Sequence, residues 1–245
     1  MNTETQSQTD TLDALLTAGA HYGVVKARRH PSTQSFIFGQ KEKIDLFDLA
    51  KTNEALEAAK EYVRTLGRER KSFIMVGGKP ESHKVVREAA VRVGAAYCIG
   101  RWIGGSITNF AEIKKRVAHM QDLIAKRDGG NLTKYTKFER LQIDREIERL
   151  ETMYEGLTPL KEKLPQALFV VDPKREAIAV REARLNKIPV IALANSDCDL
   201  SVIDYPIPAN DAAVKSITYI VNQIADAYAE GLKAPVQTKA GVAAA

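Results

Sequence analysis

Short runs of apolar residues recur along the chain, and segments with apolar positions at helical spacing follow them. Such runs cover residues 72–76, 95–99, 167–171 and 188–194, and a shorter one covers residues 205–208. Short buried strands that alternate with helices are typical of βαβ units on a parallel sheet. The pattern therefore predicts an α/β body with a doubly wound, mostly parallel sheet of the Rossmann or flavodoxin-like type.

The N-terminal region has a different pattern. Residues 36–39 and 44–49 are apolar and are separated by a short polar segment, which predicts a small β-hairpin. A helix is predicted over residues 51–66, and a short helix over residues 11–18. Residues 19–31 contain glycines, a proline and a run of basic residues, and they are predicted to form a loop.

The two ends of the chain predict little structure. Residues 1–10 are polar and have no apolar signal core, so they are predicted to be a disordered lead. A last helix is predicted over residues 211–230. The alanine-rich residues 231–245 are predicted to be a disordered tail.

Residues 109–155 interrupt the alternation of strands and helices. Two series of apolar residues, one before and one after a pair of glycines, recur at the 4-3-4 spacing of a coiled-coil seam. Asn109 with Glu112, and Thr136 with Glu139, have the spacing of capping boxes. The segment is predicted to be an antiparallel coiled-coil hairpin arm, inserted into a body formed by residues 11–108 and 156–230. The two apolar series are Ile113, Val117, Met120 and Ile124, and Ile143, Ile147, Leu150 and Tyr154.

The charge of the chain is mildly positive and unevenly distributed. The net charge is +5, but residues 21–92 carry 15 basic and 9 acidic side chains, whereas residues 193–245 carry 3 and 6. A positive field on the N-terminal half favours a phosphate-bearing partner, although an uneven solvated surface has the same composition. The apolar runs are too short for a membrane span. The two cysteines lie 100 residues apart without a metal-binding motif, which fits a reducing, cytoplasmic location.

The segment from Gly100 to Phe110 is the most distinctive in the chain. It contains the only tryptophan, Trp102, beside Arg101 and between glycines, and it connects a predicted strand to the arm. Trp102 is predicted either to contact RNA or to pack the base of the arm onto the body. Gly77-Gly78-Lys79 ends another strand, where backbone amides and a lysine suit a phosphate, but an ordinary turn has the same residues.

Signals for catalysis are weak. Asp197 and Asp199 form a D-x-D pattern that in sugar transferases holds a divalent cation, although such residues also close turns. The four histidines show no ligand spacing, and Ser106 lacks the second glycine of a nucleophile elbow. We therefore predict no enzymatic activity, no cofactor and no metal, with a metal-dependent nucleotide-sugar transferase that uses the two aspartates as the alternative.

Clusters of basic residues next to the tryptophan and the glycines favour a nucleic-acid role. Structured RNA is recognised largely through its backbone and shape, for which arginine, lysine and small residues suffice. The predicted RNA-binding residues are Arg28, Arg29, Lys79, Arg101, Trp102, Asn109, Lys114 and Lys115.

Several motifs in order resemble one family of ribosomal proteins. The sequence Gly100-Arg101-Trp102-Ile103-Gly104-Gly105-Ser106-Ile107-Thr108-Asn109-Phe110 is similar to the R-W-[LI]-G-G-x-L-T-N-[WF] signature of the small-subunit ribosomal protein S2 family, in its bacterial or organellar form. Residues 19–23, 36–39, 167–172, 178–183, 188–192, 195–197 and 205–211 resemble other family motifs, so the resemblance covers roughly residues 11–230.

This resemblance implies an α/β body with a coiled-coil hairpin and a structural role in translation. It implies a place on the small ribosomal subunit, in the cytoplasm or on an organellar ribosome, in contact with small-subunit rRNA and neighbouring ribosomal proteins. In bacteria it also implies a contact with ribosomal protein S1. A protein-only adaptor that uses the arm remains a further alternative.

Overall fold

A computed structural model describes residues 11–130, 134–160 and 163–234. The predicted lead, residues 1–10, and residues 235–245 of the predicted tail lie outside the described residues. The last helix continues to Lys233, three residues into the segment that was predicted to be a tail. Among the described residues, none of the helices combines the length and the apolar character that crossing a bilayer requires.

The main sheet has five parallel strands, numbered after the three strands that precede them in the chain. Their bounds are Phe73–Gly77 (β4), Ala96–Ile99 (β5), Ala167–Val171 (β6), Val190–Ala194 (β7) and Tyr205–Pro208 (β8). Their spatial order is β5-β4-β6-β7-β8. All five strands coincide with apolar runs of the sequence, which confirms the predicted mostly parallel α/β sheet.

Helices cover both faces of this sheet, because alternate residues of a strand point to opposite sides. Phe73, Met75 and Phe169 face one layer, whereas Ile74 and Leu168 face the other, and all five are fully buried. The helices are residues 11–17 (α1), Leu49–Arg68 (α2), Pro80–Val93 (α3), Phe110–Asp128 (α4), Lys137–Tyr154 (α5), Ala177–Leu185 (α6) and Val214–Lys233 (α7). Helices α2, α3 and α7 form the first layer, and α6 and the base of the α4–α5 pair form the second.

A second, antiparallel sheet of three strands lies at the N-terminal end of the chain. The predicted hairpin forms strands Ile37–Lys41 (β2) and Ile44–Phe47 (β3), and a third strand, Tyr22–Val25 (β1), pairs with β3 on its other side. The prediction of a loop over residues 19–31 is therefore wrong for Tyr22–Val25, which form β1. Tyr22, Val24 and Val25 favour a strand, but a run of four residues with a glycine is too short to predict one, and the pairing with β3 comes from a distant part of the sequence.

Two glycines allow helices α2 and α7 to cross in close contact. A Cβ atom on Gly67 would lie 2.5 Å from the carbonyl oxygen of Tyr228, and one on Gly231 would meet the carbonyl oxygen of Arg64. Both obstacles are backbone atoms, which do not move aside as a flexible side chain does. The close crossing therefore depends on the absence of both side chains.

The residues predicted to form the arm contain two helices that contact each other, α4 and α5. Ile113, Met120, Ile147 and Leu150 of the predicted seam are buried. The capping box at Thr136 is present, but the side chain of Asn109 makes no capping hydrogen bond, so the first predicted box is wrong. The coiled-coil form of the arm stays a prediction.

Both edges of the five-stranded sheet are protected. The segment Glu155–Leu160, a 3-10 helix after α5, packs on edge strand β5, and its Gly156 leaves no room for a Cβ atom beside the carbonyl oxygen of Tyr97. The other edge strand, β8, contains Pro206 and Pro208, which lack backbone N–H donors.

Candidate nucleic-acid interface

The loop from Gly100 to Asn109 leaves the end of β5 and enters α4. Gly100 and Gly105 have φ angles of +77° and +92°, a conformation that favours glycine. The Ser106 hydroxyl donates to the carbonyl oxygen of Ile103 at 2.7 Å, and the Asn109 amide donates to that of Gly105 at 2.8 Å. The loop is therefore a defined turn with its own hydrogen bonds.

The carboxylate of Glu182, on α6, holds this loop in place through hydrogen bonds. Its Oε1 accepts hydrogen bonds from the Gly105 amide at 2.7 Å and from the Trp102 indole at 3.3 Å. Its Oε2 accepts from the amides of Ile107 and Thr108, at 3.0 and 3.2 Å, and from the Thr108 hydroxyl at 3.3 Å. One carboxylate thus satisfies five donors and ties the loop to α6.

Burial alone would raise the pKa of Glu182, which is only 6% exposed, but the hydrogen bonds from the loop outweigh it and lower the pKa. Glu182 is therefore charged at neutral pH. The sequence contains a signal for Glu182, because it is a carboxylate among the buried apolar positions Ala179, Val180 and Ala183 of one helix.

Trp102 is 4% exposed and belongs to the layer that contains α6 and the base of the arm. Of its two predicted roles, the structure favours packing, because the ring lies against neighbouring side chains and its N–H donates to Glu182. The predicted contact between this ring and RNA does not fit such burial.

Lys79 lies where open α/β sheets usually bind ligands. The chain leaves β4 for β5 on one side and returns as β6 on the other, so the crevice between the ends of β4 and β6 is the topological switch point. There the Lys79 ammonium contacts Asp172 and Asp211, each at 2.8 Å, and Asn195 donates to Asp211 at 2.7 Å. This internal network fills the crevice, and sequence reasoning missed its two aspartates.

Burial alone would lower the pKa of Lys79, but its hydrogen bonds to Asp172 and Asp211 raise it overall, so the side chain stays charged inside the network. Glu176, 5% exposed, lies against Gly78, where a Cβ atom would collide with its carboxylate. Burial raises the pKa of Glu176. The predicted phosphate contact at Lys79 therefore competes with two carboxylates that already hold its ammonium.

The other predicted RNA-binding residues differ in their surroundings. Arg29 is mostly covered and lies 3.5 Å from the buried carboxylate of Asp45. Lys115 pairs with Glu112 at 2.6 Å on the exposed surface of α4. The exposed residues of the set are Arg28, Arg101, Asn109, Lys114 and Lys115, and the last four lie in the loop and the first two turns of α4.

The alternative site at Asp197 and Asp199 does not converge on one point. Asp197 contacts the Lys174 ammonium at 2.7 Å, whereas Asp199 accepts from the amide and hydroxyl of Ser201 and so caps a short 3-10 helix. Among the described residues, no group of three or more histidine, cysteine, aspartate or glutamate side chains has an arrangement that could hold a metal ion. Burial raises the pKa values of Cys98 and Cys198 to about 12, so both thiols stay protonated.

A groove of ≈ 610 Å³ runs along α6 on the outside of the body. Ala177, Val180 and Val202 form apolar parts of its wall, and Arg181 and Arg184 are the arginines that line it. It is separate from the filled crevice at the switch point.

Comparison with known proteins gives consistent matches over most of the chain. The family model described as ribosomal protein S2 matches residues 15–231. The small ribosomal subunit protein uS2 of Coprothermobacter proteolyticus is 42% identical over 221 residues, which cover 90% of this chain and 82% of the relative. The uS2 of Dictyoglomus thermophilum is 42% identical over 217 residues, covering 89% and 88%, and that of a Roseiflexus species is 40% identical over 218 residues, covering 89% and 83%.

Proposed function

The chain belongs to the ribosomal protein S2 family, and on that basis we propose that it is a structural constituent of the small ribosomal subunit in translation. The observation that carries the proposal is the family match over residues 15–231. The family consists of structural ribosomal proteins, so the chain is not an enzyme, and the nucleotide-sugar transferase alternative has no support.

The proposed rRNA contact is the outer surface of the loop and the start of α4. Arg101, Asn109, Lys114 and Lys115 are exposed there. Glu182 and the turn hydrogen bonds fix the backbone that presents them, so little conformational entropy is lost when phosphate is bound. Arg28 is proposed as a separate contact on the N-terminal region. Arg29, Lys79 and Trp102 are left out of the proposed contact, because they are partly or fully covered and have partners inside the protein.

Neighbouring ribosomal proteins are the second class of proposed partner, with ribosomal protein S1 among them. The groove along α6 supports a protein contact, because it combines an apolar wall with Arg181 and Arg184. The exposed apolar side chains of Ile178 and Leu185 lie on the same helix, with 57% and 72% of their surface accessible. Because Asp197 and Asp199 also line the groove, such a surface suits a partner segment with apolar residues and charged residues of both signs.

The first experiment is sedimentation of a cell lysate in a sucrose gradient. We expect most of the protein to move with small subunits, and S1 to co-purify with the tagged chain after nuclease treatment. Protein found mainly at the top of the gradient contradicts the ribosomal role; absence of S1 contradicts only that partner.

Arg101→Glu tests the loop within the same assay. Reversing an exposed charge beside phosphates should weaken incorporation on the order of tenfold in competition with the wild type. Lys215→Glu is the matched control, because Lys215 is exposed on α7, which packs on the opposite face of the sheet from the loop. Equal incorporation of Arg101→Glu and the control would remove the loop from the proposed contact.

A further inference from the structure

The small N-terminal sheet has one face toward the body and one face toward solvent. Asp45 and Phe47 of β3 are buried on the inner face. The strand register places Tyr22 and Gly39 beside Leu46, and Val25 and Lys41 beside Ile44, on the opposite side. This second set, with Phe38, is called the outward face below.

Aromatic and apolar side chains on this face are unusually accessible. Phe38 is 81% exposed, and Tyr22 and Val25 are 44% and 46% exposed. The register between β2 and β3 shifts between Ile37 and Gly39, so Phe38 is the additional residue of a β-bulge. A bulge redirects a side chain, and here it leaves a phenyl ring in solvent rather than in the core.

The tip of the same sheet is strongly basic. A two-residue turn connects β2 to β3, and the Lys26 amide donates to the carbonyl oxygen of Lys43 at 2.9 Å, which brings β1 to the tip. Within the part of the chain that the structure describes, none of the four exposed cations at the tip has an ion-pair partner. These cations are Lys26, Arg28, Lys41 and Lys43.

The turn itself is strained. Glu42 and Lys43 have φ angles of 52° and 69°, the left-handed conformation that a tight hairpin turn requires and that asparagine and glycine adopt most easily. Backbone positions that stay strained in a folded protein are concentrated at functional sites. Glu42 is the one exposed acidic residue at the tip, since Asp45 is buried against Arg29 and Gln40.

We propose that the outward face binds a single-stranded segment of small-subunit rRNA, with an unstacked base on the ring of Phe38 and phosphates beside the four cations. Lys41 lies three residues from Phe38, about 10 Å along the strand. Exposed rings on a sheet next to lysines and arginines are the combination that binds unpaired RNA. The inference rests on the proposed ribosomal function and adds a contact separate from the Arg101 loop.

The test uses small subunits from which this protein has been removed by a high-salt wash, and it measures rebinding of the purified full chain. Phe38→Ala should lower the affinity roughly 5- to 150-fold, the range for loss of one stacked base. Phe38→Leu should lose as much, because it keeps apolar volume without a π face, whereas Phe38→Trp should retain binding. Val91→Ala, at a residue that is 63% exposed on α3, is the control and should bind as the wild type does.

A second measurement separates charge from stacking. Replacing Lys26, Lys41 and Lys43 by alanine should reduce the slope of log affinity against log salt by about 2, at roughly 0.7 per phosphate contact of a single strand. Zero-length ultraviolet cross-linking of rebound subunits should join the peptide that contains Phe38 to a nucleotide of the rRNA.

The possible outcomes are distinguishable. Full binding by Phe38→Ala or Phe38→Leu overturns the stacked base, and a cross-link from this peptide to another ribosomal protein makes the face a protein contact. If the wild-type chain itself fails to rebind, the proposed ribosomal function falls, and this inference falls with it.

Discussion

At the scale of single residues, one buried carboxylate determines the shape of the most distinctive loop. Glu182 accepts hydrogen bonds from three amides, a hydroxyl and the only indole of the chain. The sequence motif around Trp102 locates the loop correctly. It does not reveal what holds the loop, because Glu182 lies about 75 residues further along the chain and only the fold brings the two together.

Glu182→Gln should destabilise the protein by about 2–3 kcal/mol at neutral pH, because the amide group points an N–H donor at donors of the loop. The emission of Trp102 should shift to the red as its surroundings loosen. Urea unfolding and fluorescence measure both effects. Glu88→Gln, at an exposed side chain of α3, should change stability by less than about 0.5 kcal/mol.

The same variant gives a pH dependence with a definite sign. The pKa of Glu182 is lower in the folded state than in the unfolded state. The contribution of its charge to the free energy of unfolding is therefore fully present above the unfolded-state pKa, and it is lost as the pH falls through the folded-state pKa. The stability difference between the wild type and Glu182→Gln should therefore shrink as the solution is acidified. A difference that stays constant into strong acid would contradict the role assigned to the charge.

At the scale of elements, apolar runs and helical periodicity were sufficient to predict the five parallel strands and the helices around them. Strand β1 could not be predicted, because its pairing with β3 is non-local and its own residues carry no alternation. The capping box at Thr136 was predictable from spacing. The same spacing at Asn109 gives no capping box, because the backbone amide of Asn109 instead donates to the carbonyl oxygen of Gly105 in a turn.

The crossing of α2 and α7 provides a test at this scale. Alanine has a higher helix propensity than glycine by about 1 kcal/mol, so an exposed helical glycine gains stability on substitution. Gly67→Ala should instead lose about 2 kcal/mol, because its Cβ atom would lie 2.5 Å from a backbone oxygen of α7.

Thermal unfolding checks the direction of this change. Gly39→Ala serves as the comparison, since nothing lies within 4 Å of the position that its Cβ atom would take. A Gly67→Ala protein that unfolds at a higher temperature than the wild type would show that the two helices can move apart at little cost.

At the scale of the whole molecule, the division into a body and an arm stays a prediction from the sequence. Helices α4 and α5 contact each other and the Glu155–Leu160 segment, and at their base Ile113, Met120, Leu150 and Tyr154 join the buried cluster on the second face of the sheet. The filled crevice at the switch point was not predictable, because Lys79, Asp172 and Asp211 come from three separate parts of the chain.

Removal of the outer arm tests that division. A chain in which residues 122–145 are replaced by a short glycine–serine linker keeps Met120 and Leu150, which belong to the buried cluster on the second face of the sheet. We expect its thermal midpoint to stay within about 4 °C of the wild type, which corresponds to roughly 1 kcal/mol for a body of this size. Incorporation into small subunits should decrease. Loss of cooperative unfolding would mean that the body depends on the arm.

The protected edges of the main sheet have a consequence for the protein before it reaches any partner. An open edge strand offers unpaired backbone groups to a second copy of the chain and so promotes aggregation. Here the Glu155–Leu160 segment covers β5, and two prolines remove N–H donors from β8. Within the described part of the chain, the main sheet therefore offers no open edge strand to a second copy, which removes one route to aggregation while a newly synthesised copy waits for assembly.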